Sequence, residues 1–377
     1  MTGLRVLELS RVLAGPWAGQ LLADLGADVI KVESLAGDDT RQWGPPFVVN
    51  PDGTKDAAYF HAANRGKRSV AIDFSTAQGA AQVVELSGGA DVLIENFKVG
   101  SLAKYGLDYP SLSKLNPGLV YCSITGFGQD GPYAEHAGYD FIVQGMSGIM
   151  DLTGAVNGEP QKIGVAFADI FAGLYAVIGI QAALKHRERT GRGQQIDVAL
   201  LDCMIGVLAN QGLSYLSSGE SPRRMGNRHP NIAPYEAFSA SDALIVIAVG
   251  NDRQFYNLCD VLGLRDAKTD PRYVSNAERV QNREALVTEI SAATELRERD
   301  ELLAALHERG VPSGPVNSVE QAFADPQVRF REMVNELVRD TDGATLPGIR
   351  TPLRFSDSTL RPGAAPPLLG GEKLDWR

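Results

Sequence analysis

The stretch LRVLELSRVLAGPWAGQLLADLGADVIKVE, Leu4 to Glu33, decides the fold. LRVLEL is an apolar run of strand length. Pro16 suits a first helical turn, where its missing N–H leaves no hydrogen bond unmade. The helix continues through AGQLLADL, and Gly26 stops it. DVIKVE is the second strand. The pattern then repeats: RSVAIDF is a strand, TAQGAAQVVELS a helix ended by Gly88 and Gly89, and DVLIENF a strand. A helical stretch around SLSKLNP leads to the strand LVYCSITGF. Apolar strands alternating with helices predict a parallel sheet covered on both faces, an α/β Rossmann-like doubly wound architecture.

Long helices follow, about Ala166 to Arg187 and Leu200 to Leu216. SSGESPRRMGNRHPN is polar and rich in turn formers, as a linker is. EAFSASDALIVIAV predicts a hairpin turning at Ser241-Asp242. Helices are expected over Asp252 to Leu262, Arg279 to Ala293 and Arg299 to Arg309, giving a smaller α+β domain. GATLPGIRTPLRFS is strand-like, and RPGAAPPLLGG is extended.

The chain has 377 residues and a formal charge of −10. No Lys/Arg block stands out, which argues against nucleic acid and anionic membranes as partners. Cys122, Cys203 and Cys259 are sparse and unpaired in spacing, as in a reducing compartment. Five scattered histidines show no metal spacing. The N-terminus enters a strand at once without a signal-peptide pattern, so a cytoplasmic protein is expected.

One carboxylate interrupts the apolar run GVAFADIFAGLYAVIGIQAAL: Asp169. It is either the N-cap of the helix that follows or a group the site uses. The run carries a charge and is barely membrane-spanning in length, so a buried core helix is the better reading.

Ligands of such sheets bind at the carboxyl ends of the strands. The first such loop, SRVLAGPWAG, is not GxGxxG, which disfavours NAD although Glu33 ends the second strand. Other strand-end loops carry Arg65, Lys67, Arg68, Lys98 and Lys104, the cations a phosphorylated ligand needs. TGFGQDGPYAEHAGYD holds Gly126, Gly128 and Gly131, whose backbone N–H groups are candidate oxyanion donors.

Taken in order, LSRVLAGPWAGQLLADLGADVIKVE, NRGKRSVAIDF, ADVLIENFKVGSLAKYGL, LNPGLVYCSITGFGQDGPYAEHAGYD, ADIFAGLYAVIGIQAAL and RTGRGQQIDVALLD resemble the class III CoA-transferase family (CaiB/BaiF type). NRHPNIAPYEAF and APPLLGG fit as well. The resemblance implies that Asp169 is the nucleophile, kept ionised at a helix start by the dipole and backbone donors. It implies an acyl-CoA substrate and no prosthetic group. CoA-contacting positions carry over to Val12, Leu13, Ile72, Asp73, Asn96, Phe97, Lys98, Lys104, Tyr139 and Asp140. Ala137 stands where some transferases have a lysine, and Ser34 where some have an arginine; Arg65, Lys67 or Arg68 is the expected compensation.

The family also contains α-methylacyl-CoA racemases, which use a histidine in a GHD pattern. Here the run is Gly138-Tyr139-Asp140, and a phenol titrating near pH 10 is a poor base at neutral pH. Transferase is therefore expected over racemase, and over a non-catalytic CoA- or nucleotide-binding module. The branch most resembled is that of succinyl-CoA:dicarboxylate transferases, with Arg41, Arg228 or His229 as candidates to hold the distal carboxylate, and Gly126 and Gly128 beside the substrate. The family's architecture implies an interlocked homodimer. It also implies a large discontinuous domain (1–216), a linker (217–232), a small domain (225–325), and a return to the large domain (326–377).

Overall fold

The computed structural model describes residues 1–358, 360 and 363–376. Arg361 and Pro362, in the run expected to be extended, lie outside the described residues, as do Thr359 and Arg377. Two compact units are present: Met1–Met150, Lys162–Ser221 and Pro326–Arg377 form the first, and Asp151–Gln161 with Pro222–Asp325 the second.

The first unit holds six parallel strands: β1 (Arg5–Glu8), β2 (Asp28–Glu33), β3 (Arg68–Ala71), β4 (Val92–Glu95), β5 (Val120–Thr125) and β6 (Gln195–Ala199). Their order across the sheet is β3-β2-β1-β4-β5-β6. Val6 pairs with Val29 on one side and Val92 on the other. The winding reverses between β1 and β4, and at such a switch point the carboxyl ends splay loops apart to leave a crevice.

Alternation along each strand sends neighbours to opposite faces. Val6, Val29 and Val92 join one core cluster; Leu7, Ile30 and Leu93 join the other. Both faces are dry, which is why the strands are apolar runs rather than alternating ones. The first face is covered by α1 (Ala14–Asp24), and the second by α2 (Ala77–Gly89) and the short helix Tyr109–Leu115.

Also on the first face lie the short helix α3 (Asp140–Met146) and the long helix α4 (Phe167–Thr190). By length and composition alone α4 is long and apolar enough to cross a membrane. In this fold Ala168, Ala172, Ala176, Ile180 and Ala183 are all fully buried in the core. A Cβ on Gly173 would come 2.8 Å from the Ala14 carbonyl oxygen and 3.0 Å from Trp17, so this glycine lets α4 close on α1.

The helix expected over Leu200 to Leu216 is two, α5 (Leu200–Gly206) and α6 (Ala209–Ser218). Gly206 ends the first, and Ala209 takes a left-handed φ of 46°. Asn282 likewise splits the helix expected over Arg279 to Ala293 into Asn276–Gln281 and Arg283–Thr294.

The second unit is built on an antiparallel sheet of β7 (Tyr235–Ser239), β8 (Leu244–Ala248) and β9 (Ser313–Pro315), with β8 central. Asp252–Leu262, Arg283–Thr294 and Arg299–Glu308 cover it around Ile245, Ile247, Phe255, Ile290 and Leu302. The chain's last hairpin, β10 (Val334–Val338) with β11 (Thr345–Ile349), belongs to the first unit.

Candidate active site

A cavity of about 320 Å³ opens at the carboxyl ends of β1, β4 and β5. Its walls are the loop Arg11–Ala14, the loop Asn96–Val99, the strand end Ile124–Gly126 and the segment Ala134–Asp140, with Trp43 and Asp169 between them. The last segment folds back onto the strand end because two glycines meet there. A Cβ on Gly126 would lie 2.4 Å from the Gly138 Cα, and one on Gly138 would lie 2.3 Å from the Gly126 Cα.

Asp169 occupies the first turn of α4 but does not cap it. The N-cap is Ala166, which has no side-chain acceptor. The cap comes from another helix: Asp140 Oδ1 accepts the Ala168 N–H at 2.8 Å. Asp140 Oδ2 accepts from Gln144 Nε2 at 2.8 Å, and Gln144 Oε1 accepts the Ile163 N–H at 2.9 Å. Asp140 thus supplies, from another helix, the side-chain cap that Ala166 lacks. Among the described residues, none donates a hydrogen bond to the Asp169 carboxylate. Burial, then the neighbouring Asp140 charge, push its carboxyl up to about 7. The expectation of an aspartate held ionised by helix donors is thus corrected. The environment makes the carboxylate basic, with free lone pairs, which favours nucleophilic use.

Val12, Leu13, Asn96, Phe97, Lys98, Tyr139 and Asp140 all line this cavity. Asn96 joins two of the loops, accepting the Arg11 N–H at 2.8 Å and donating to the Arg11 carbonyl at 2.7 Å. Behind it, buried Glu95 accepts the Phe97 N–H at 2.8 Å, and burial pushes its carboxyl up to about 7. Arg11 meets Asp39 at 3.2 Å, whereas Lys98, among the described residues, has no acid partner. Ile72, Asp73 and Lys104 do not line the cavity. Ile72 is buried in the core, and Asp73 accepts from Ser75 at the head of α2. Lys104 sits 4.7 Å over the Tyr105 ring, and the edge-on rings Tyr105, Phe74 and Phe97 lead from there back to the cavity wall.

Several sequence candidates are already committed. Arg41 grips Glu33 at 2.7 and 2.8 Å and Asp56 at 2.8 Å, all buried, so it holds the sheet edge rather than a substrate carboxylate. That pairing also occupies Glu33. Arg65 pairs with Asp24 at 2.9 Å, Lys67 with Glu8 at 2.8 Å and Arg68 with Asp28 at 2.7 Å. None of the three lines the cavity, so none compensates for Ala137 or Ser34 there. Arg228 and His229 belong to the second unit. Arg228 pairs with Glu236 at 3.3 Å and Glu284 at 3.1 Å; His229 Nδ1 accepts the Asn231 N–H at 3.1 Å. Gly126 reaches the cavity. Gly128 does not, and its N–H is spent on Thr125 Oγ1 at 2.9 Å, which removes it as an oxyanion donor.

Trp43 and Tyr59 escape a reading of the sequence. Their rings meet edge-on at 5.4 Å. Burial raises the Tyr59 phenol, and the charges of Asp169, Asp140 and Asp38 raise it further, which sets this residue in the field of the acidic site. Its only signal in the sequence is an aromatic pair in DAAYFHAAN. His136, beside Tyr133 at 5.3 Å between ring centres, also lines the cavity.

Comparison with known proteins bears on this geometry. Residues 1–373 match the model of CoA-transferase family III. The chain is 55% identical over 372 residues to a succinate–glutarate CoA-transferase of Agrobacterium fabrum, covering 98% of this chain and 93% of that one. It is 40% identical to the human succinyl-CoA:glutarate CoA-transferase, covering 98% and 83%. Its fold matches the crystal structure of a CaiB/BaiF family protein from Brucella suis with a TM-score of 0.89 at 59% identity, over 98% of this chain and 96% of that one. With that coverage, and with a carboxylate left free at the sheet's switch point, the chain belongs to CoA-transferase family III.

Proposed function

We propose that the enzyme moves CoA from succinyl-CoA to a free dicarboxylate, glutarate foremost, through covalent intermediates on Asp169. The observation that carries the reading is the basic carboxylate of Asp169, without a hydrogen-bond donor among the described residues, lining the cavity between the Arg11–Ala14 and Asn96–Val99 loops. An Asp169 oxygen attacks the thioester carbonyl; the C–S bond breaks and CoA leaves as a thiolate, giving a mixed anhydride. The thiolate attacks the aspartyl carbonyl, giving an aspartyl-CoA thioester and free succinate. The acceptor carboxylate attacks that thioester and releases the thiolate. The thiolate then takes the acceptor's acyl group and restores Asp169. Each bond broken is matched by one formed of similar energy, so no ATP is needed. The anhydride survives only if water is kept out, a task for Trp43 and the Ala134–Asp140 segment that line the cavity.

Relatives named for succinyl-CoA with glutarate or mesaconate support the choice of donor and acceptor class. Lys98 is the lining cation available for a phosphate or a carboxylate. The functional unit is proposed to be a homodimer. Leu174, Tyr175 and Ile178 on α4 and Leu213 and Leu216 on α6 are exposed, an apolar surface a second copy would cover.

The test is a mass-spectrometric assay in D₂O with succinyl-CoA, a 2-methylacyl-CoA and a pool of mono- and dicarboxylic acids. New CoA thioesters of dicarboxylates that vanish in Asp169→Asn support the reading. Deuterium at the α-carbon without new thioesters overturns it in favour of a racemase.

A further inference from the structure

Val12 is a β-branched residue at a φ of 68°, in the left-handed region that such side chains avoid. The backbone around it is held by side chains from elsewhere in the fold. Lys31, on β2, donates to the Ser10 carbonyl at 2.8 Å and to Glu8 at 3.1 Å, and its Nζ lies 3.0 Å from Asp38 Oδ2. Asn96 holds both backbone polar groups of Arg11. Asp38 accepts the Val12 N–H itself, 3.2 Å to Oδ2 and 3.4 Å to Oδ1. Asp38 is 2% exposed, and its Oδ1 also accepts from the Thr40 N–H at 3.0 Å and the Thr40 hydroxyl at 2.8 Å. A buried carboxylate fixed on several sides thus grips the one strained residue at the cavity's first wall.

We infer that Asp38, fixed by Lys31, is a positioning residue for acyl-CoA transfer. It locks Val12 in the left-handed conformation and so sets how Val12 and Leu13 face the thioester arm. Asp38 does not line the cavity, so its effect on the substrate runs through Val12. The inference rests on the reading that acyl-CoA lies along the Arg11–Ala14 loop. A purely structural role, capping the Asp39–Gln42 turn and balancing Lys31, would cost stability without any dependence on residue 12.

A double-mutant cycle with Val12→Gly separates the two roles, because glycine accepts a φ of this sign without strain. With Val12 in place, Asp38→Asn should raise the KM for succinyl-CoA ~10-fold and change kcat less than ~3-fold. In the Val12→Gly background the same substitution should raise KM less than ~3-fold, while Tm falls equally in both. Equal KM penalties in the two backgrounds overturn the positioning role. Amide hydrogen exchange on the unaltered enzyme tests the underlying reading: CoA should protect the amides of residues 11–14. No protection there overturns the placement of acyl-CoA on this loop, independently of the cycle. If Asp38→Asn does not fold, the Val12 amide decides. Exchange as slow as that of the β1 core amides supports the clamp; exchange at the rate of an open loop overturns it.

Discussion

Asp169 combines two properties that usually oppose each other. Its carboxyl is pushed up to about 7, yet the proposed chemistry needs the ionised form. Activity should therefore follow its titration: kcat/KM for succinyl-CoA should fall about tenfold per pH unit below about 7 and level off above about 8. Glu95 titrates in the same range, so the pH profile of Glu95→Gln is the control. The limb should persist there, and its loss would assign the titration to the loop support instead. The same shift has a consequence for stability. The folded-state value lies above the unfolded one, so between about pH 4 and 7 the folded protein keeps a proton that the unfolded chain has lost, and stability falls as pH rises. Above about 7 the penalty is complete. Asp169→Asn should accordingly stabilise the protein at pH 8 by up to about 4 kcal/mol, a few degrees in Tm, and by almost nothing at pH 4. Its transfer activity should drop at least ~10³-fold. Thermal unfolding at the two pH values checks the sign, and equal Tm differences would contradict it.

At the level of elements, the cavity depends on how closely a loop can return to a strand end. Gly138→Ala puts a methyl group into the Gly126 backbone, where no flexible side chain can yield. It should cost about 1–3 kcal/mol and most of the activity. Gly88→Ala, in open space near the end of α2, should be neutral or stabilise by up to about 1 kcal/mol. Equal Tm changes for the two would remove the close approach as an explanation. The parallel sheet is legible in the sequence because each of its strands is an apolar run bounded by helix signals, and the two-faced burial of Val6 and Leu7 is what that pattern means physically. Asp169 is legible as an oddity, a charge in a run of small apolar residues. Its electrostatics are not, because the acceptor at the head of α4 is Asp140, almost thirty residues upstream and on another helix. The strand-end cations mislead for a related reason. Arg41, Arg65, Lys67 and Arg68 look like ligand cations in one dimension, and only the fold shows the acid that each already holds. Two-residue interruptions such as Val207–Leu208 leave no clear mark in helical periodicity, so α5 and α6 read as one helix in the sequence.

On the scale of the whole molecule, Leu174, Tyr175, Ile178, Leu213 and Leu216 are exposed, and the proposed homodimer would cover them. If the homodimer is the folded unit, Tm should rise with protein concentration, and sedimentation should show no active monomer. A stable, active monomer would contradict the proposed assembly. The chemistry itself is best followed by oxygen atoms, because the proposed route passes an acceptor oxygen through the enzyme and out in the leaving donor acid. The decisive experiment supplies glutarate labelled with ¹⁸O in its carboxylates, together with unlabelled succinyl-CoA, and follows the label by mass spectrometry in the Asp169 peptide and in released succinate. The account predicts ¹⁸O in both, appearing over successive turnovers with glutaryl-CoA. Accumulation of glutaryl-CoA with no ¹⁸O in either Asp169 or succinate would contradict a covalent path through that carboxylate.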